Sequence, residues 1–166
     1  INSFYEANLA LTLEIPPFNL FDNAKTVYSR ARMLPPVKIS GTTFVSSILA
    51  EGCIIHAKKI ENSVIGIRTR IGKGTVITST YIMGSDFYET IPEMAHSLER
   101  GIPKIGIGEH CEIKNAILDK DCRIGDNVRI IGGTHLTPID HVLYTIKDDI
   151  IVIKKGAIIP NGFIIE

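Results

Sequence analysis

Apolar residues recur along this chain at a spacing that fits neither an α-helix nor a simple alternating strand. Ile48, Ile54 and Ile60 are followed by Ile65, Ile71 and Ile77, in steps of six broken once by a step of five. A second run comprises Ile107, Ile113, Leu118, Ile124 and Ile130, and a third Ile153, Ile159 and Ile165. A helix needs apolar positions three and four apart, and a half-buried strand needs them two apart. A six-residue period instead fits a coil in which each hexad supplies one short strand and one turn, so that three hexads close one triangular rung of a β-helix.

The remaining hexad positions agree with that reading. The residue after the key apolar one is Gly66, Gly72, Gly108 and Gly125, as suits a corner that a side chain would crowd. Four positions after it stand Thr69, Thr75, Cys111, Cys122, Val128 and Ala157, all small or β-branched, as a narrow interior requires. In this phase Cys111 and Cys122 are interior thiols acting as small hydrophobes. Cys53, beside Ile54, is out of phase and is expected to be more exposed. Residues 37–166 thus read as an all-β, parallel β-helix domain with two insertions. The first, 84–104, contains a short helix from Pro92 to Arg100 ended by Gly101. The second, 132–147, opens with Gly132-Gly133 and reads as a long loop, a length that in an economical repeat marks function or an interface. Residues 1–36 do not repeat. An amphipathic helix is expected within 1–13, followed by an irregular connection in which Pro16-Pro17 and Pro35-Pro36 exclude long regular elements.

Bulk properties narrow the function classes. A chain of 166 residues with 45% hydrophobic content suits one domain. Lysine plus arginine equals aspartate plus glutamate at 18 each, so no global field draws the chain to nucleic acid or an anionic membrane. The longest apolar runs, such as IIVI at 150–153, fall far short of a spanning helix, and no signal-peptide pattern appears. Three cysteines without CxxC spacing argue against a disulfide framework or a zinc site. The chain opens on Ile1 directly into a helical pattern, which predicts a C-terminal piece of a longer protein.

No Ser-His-Asp spacing, P-loop or dinucleotide fingerprint is present, and the glycines of IGIG at 105–108 are hexad corners rather than a phosphate cradle. The histidines, His56, His96, His110, His135 and His141, are scattered, and sequence alone assigns none of them as a base or as one of three convergent metal ligands. Positive charge on a rigid scaffold remains. Lys120 follows ILD, Lys154 and Lys155 follow IIVI, and Arg30 and Arg32 lie in SRARMLPP. Ammonium and guanidinium groups together suit a phosphate or carboxylate ligand, although each taken singly is more simply a solvated corner charge. A self-contained hexapeptide acyltransferase and a ligand-free assembly platform stay open as alternatives.

Several segments closely resemble one family. RMLPPVKI (32–39), NSVIGIRTRIGKGTVI (62–77), MGSDFYET (83–90), IPKIGIGEHCEIKNAILDKDCRIGDNVRI (102–130) and VIKKGAIIPNG (152–162) are similar to the C-terminal domain of ADP-glucose pyrophosphorylase, glucose-1-phosphate adenylyltransferase, nearer the cyanobacterial and plant type. The resemblance implies a left-handed winding, as in other hexapeptide helices. It further implies a parent enzyme that makes ADP-glucose and pyrophosphate from ATP and glucose 1-phosphate with Mg²⁺, for glycogen or starch synthesis. The catalytic domain with its GGxGTRL motif, and with it the Mg²⁺, would lie upstream, leaving this chain inactive alone and without a cofactor of its own. The family's C-terminal domain serves tetramer assembly and allosteric control by small anions such as 3-phosphoglycerate and phosphate. Its activator-site lysines fall on Lys120 and Lys154, and its anion-contacting arginine falls on Arg32. Arg30 replaces a frequent glutamine and adds charge. The expected compartment is the cytoplasm of a bacterium or the stroma of a plastid, with no nucleic-acid or membrane partner.

Overall fold

The computed structural model describes residues 1–166. Short parallel strands stack in register around a narrow interior, and three columns of apolar side chains run along the coil. The first holds Ile39, Ile55, Ile71, Ile107, Ile124 and Ile159. The second holds Phe44, Ile60, Ile77, Ile113, Ile130 and Ile165. Leu49, Ile65, Ile82, Leu118 and Ile153 form the third. Twelve of the large side chains are fully enclosed, among them Ile55, Ile71, Ile113 and Leu118. Each contributes about 1.5–3 kcal/mol of gross hydrophobic stabilisation, and none could be buried by a single rung.

Three sequence-based expectations need correction. Ile48 and Ile54 are not the ladder residues of the lowest rungs; Leu49 and Ile55 are, and Ile55 is fully buried while Ile54 is half-buried. Adjacent apolar pairs, IL at 48–49 and II at 54–55, satisfy either phase, and only pairing with the next rung selects one. Cys53 is consequently in phase, two residues before Ile55, and is completely buried rather than exposed. The third correction concerns 132–147, which is not simply a loop. Ile139–Asp140 pairs antiparallel with Tyr144–Lys147, which in turn pairs antiparallel with Ile150–Ile153.

The steps of five have a conformational cause. Between the second and third columns the corner is a single residue with positive φ: Ser46, Asn62, Ser79 and Asn115. Asn tolerates this left-handed conformation better than most residues, and one residue turning the chain shortens the hexad by one. The hexad glycines answer a different need. A Cβ on Gly72 would stand 2.5 Å from the carbonyl oxygen of Gly108 on the next rung, so close stacking of backbones demands its absence.

The helix α1 (Asn2–Leu9) lies against the outside of the coil. Tyr5 donates to the Ser79 carbonyl at 2.6 Å, and Phe4 meets Tyr81 edge-on at 5.2 Å. Burial pushes the Tyr5 phenol up to about 12. In the first insertion α2 (Ile91–Glu99) starts from a Thr90–Glu93 capping box and ends before Gly101, whose φ is +68°. No helix is long and apolar enough to cross a membrane.

Candidate functional site

The corner between the third and first columns carries the charges singled out from sequence. Backbone hydrogen bonds climb it rung by rung: Gly52 donates to Pro35, Arg68 to Glu51, Ser85 to Ile67, Asp121 to Gly84 and Gly156 to Lys120. Lys120 and Lys154–Lys155 therefore project from adjacent rungs. Pro35, the fixed point nearest Arg32, is four rungs below Lys120, roughly 19 Å along the coil at the normal strand spacing. Arg30 and Arg32 lie in an exposed stretch without secondary structure and take part in none of the seven ion pairs of the chain. The fold thus brings the lysines together and leaves both arginines on the segment leading into the same corner.

Each lysine meets a carboxylate from an insertion. Lys120 Nζ lies 2.6 Å from Asp86 Oδ1, and Lys155 Nζ lies 3.6 Å from Oδ2 of the same residue. Lys154 turns elsewhere, to Asp140 Oδ1 at 2.6 Å, which also accepts from Thr145 Oγ1 at 2.7 Å. The Lys120 hydrogen bond is the main cause that holds the Asp86 carboxyl below the usual aspartate range, with the charge of Lys155 adding to it. Lys154, then Thr145, does the same for Asp140. These partners were invisible in the sequence because Lys120 and Asp86 are 34 positions apart.

The first insertion is pinned to this corner by its own side chains. Tyr88 donates to the Gly52 carbonyl at 2.8 Å, and the Arg68 guanidinium stacks 5.6 Å from the Tyr88 ring centre. Glu89 accepts from the Ile105 N–H at 2.7 Å, and its other oxygen lies 2.7 Å from Arg123, an ion pair in contact but not aligned as a hydrogen bond.

A cleft of about 450 Å³ lies over the first column beneath the end of α2. Its cations Arg70, Lys73 and Lys104 are interspersed with the carboxylates of Glu109 and Asp126. Burial raises all three thiols above their ordinary value, so none of them is an activated nucleophile. No group of three or more His, Cys, Asp or Glu side chains is placed to hold a metal ion. What the corner can do is bind a small anion between ammonium groups on a rigid frame.

Residues 32–164 match the family model described as the GLGC left-handed parallel beta-helix domain. The match begins at Arg32, takes in both insertions and all three corner lysines, and carries the left-handed winding expected of the hexads.

Proposed function

The chain belongs to the family of GLGC left-handed parallel β-helix domains, the C-terminal domain of ADP-glucose pyrophosphorylase, and from that membership we propose that it regulates and assembles such an enzyme. The parent makes ADP-glucose and pyrophosphate from ATP and glucose 1-phosphate for glycogen or starch synthesis. Mg²⁺ belongs, on this reading, to the catalytic domain. The observation that carries the regulatory role is the convergence of Lys120, Lys154 and Lys155 on adjacent rungs of one corner.

Small anionic effectors, 3-phosphoglycerate as activator and phosphate as inhibitor, compete for the lysine corner, and Arg32 and Arg30 add positive charge lower on the same edge of the coil. The catalytic domain closes the site from the other side, and the β-helix supports a tetramer. Coupling is then a difference in effector affinity between two states of the enzyme, typically about 1–3 kcal/mol. In the full-length enzyme, Lys120→Ala and Lys154→Ala should each raise the 3-phosphoglycerate concentration needed for half-maximal activation. Unchanged activation curves in both variants would sink the assignment.

A further inference from the structure

We infer that Asp86 is a built-in competitor at the corner site, its carboxylate occupying between Lys120 and Lys155 the place an incoming phosphoryl group takes, so that Lys155 is the partner of Lys120 in gripping the ligand. The inference rests on the anion-site reading above and adds to it a regulating carboxylate and a further binding residue.

The two oxygens of Asp86 face two different ammonium groups, Oδ1 toward Lys120 at 2.6 Å and Oδ2 toward Lys155 at 3.6 Å. One edge of a phosphate presents the same pair of oxygens. Lys154 faces the hairpin side, where Asp140 pairs with it at 2.6 Å, so it reaches this position only by leaving that exposed pair.

The carboxylate is placed by backbone contacts that do not involve its own oxygens. Asp86 N–H donates to Asp121 Oδ1 at 2.8 Å, the preceding Ser85 N–H donates to Ile67 at 2.9 Å, and Arg68 reaches the Ser85 carbonyl at 3.3 Å. With the main chain tied down, the carboxylate leaves by side-chain rotation alone, into solvent that already reaches 42% of the side chain. An exposed ion pair of this kind is weak, so displacement costs little.

The arrangement also discriminates between anions. A monoanionic carboxylate merely exchanges like for like, whereas a phosphate dianion brings a second charge to two ammonium groups. Asp86 therefore biases the corner toward phosphorylated ligands by setting a threshold that simple carboxylates do not pass.

Calorimetric titration of inorganic phosphate into this chain at low ionic strength tests the inference, with Asp86→Asn, Asp86→Ser, Lys155→Gln, Lys154→Gln and Lys120→Gln compared with the unmodified protein. Both Asp86 variants should bind phosphate roughly two- to fivefold more tightly, the range set by loss of one exposed ion pair. Lys155→Gln should weaken binding more than Lys154→Gln does. Phosphate affinity unchanged or weakened in both Asp86 variants overturns the competitor role, and a larger loss from Lys154→Gln overturns the role of Lys155. If Lys120→Gln leaves phosphate binding unaltered, or no variant binds phosphate, the anion-site reading itself falls and this inference with it. Loss of binding in Lys120→Gln alongside neutral Asp86 variants overturns the inference alone.

Discussion

The Arg123 guanidinium lies 2.7 Å from the Glu89 carboxylate, and this contact joins the fifth rung of the coil to the start of the first insertion. Arg123 also donates to the Pro103 carbonyl at 2.7 Å, while Glu89 accepts from the Ile105 N–H, so the two residues close the base of the insertion from both ends. Only 20% of the arginine side chain and 5% of the glutamate side chain reach solvent, and removing one partner strands the other charge. Arg123→Met should destabilise the domain by about 3 kcal/mol, the low end for a buried pair because the arginine stays partly wet. Glu89→Gln should cost less, since its amide oxygen still accepts from Ile105. Urea unfolding of the two variants checks the order, and equal midpoints for Arg123→Met and the unmodified chain would refute it.

Rung stacking predicts different costs at two glycines. At Gly72 an added methyl meets the carbonyl of Gly108 at 2.5 Å, and Gly72→Ala should cost about 1–3 kcal/mol through displaced backbone. Gly41 has open space around its would-be Cβ and a φ of +70°, so Gly41→Ala meets only conformational strain of about 1 kcal/mol. Ile113→Ala, in the fully enclosed second column, should cost about 2–5 kcal/mol. Thermal unfolding of the three variants measures the series.

The cysteines should be chemically silent in the folded protein. Burial is the leading cause that raises all three thiols, and it pushes Cys122 up to about 12 with help from the nearby Asp119 charge. At neutral pH a disulfide-exchange reagent such as Ellman's should label none of them rapidly in the native state and all three after denaturation. Fast native labelling at Cys53 would contradict its place beside Ile55.

Acid should remove the contribution of the corner ion pairs in a defined window. Asp86 and Asp140 have folded-state values depressed below the ordinary 3.8, so the stabilisation they bring is fully present above 3.8 and is lost as pH falls through the depressed values. The melting-temperature gap between the unmodified chain and an Asp86→Asn/Asp140→Asn double variant should hold steady from neutrality to about pH 5 and shrink below 3.8. High salt should narrow the same gap at every pH, because both pairs are exposed. A gap that widens on acidification would reverse the assignment.

The hexad period, the glycine corners and the small interior partners of each isoleucine were legible in the amino-acid order, because a six-residue rhythm admits one economical way of burying a narrow apolar stripe. Cys111 and Cys122 were placed inside on that basis alone. Where neighbouring residues were equally apolar, at 48–49 and 54–55, the order of residues was silent, and pairing with the next rung chose Leu49 and Ile55 and carried Cys53 inside with them. Lys120 and Lys154 could be proposed from sequence as anion-binding groups, but their immediate surroundings could not. Asp86 and Asp140 come from insertions whose return paths no periodicity encodes, and only the folded chain decides that Lys120 shares its carboxylate with Lys155 while Lys154 turns to the hairpin. Repetition is a local property that sequence carries openly. Charge pairing across insertions is set by where a non-repeating chain lands, and that is decided in three dimensions.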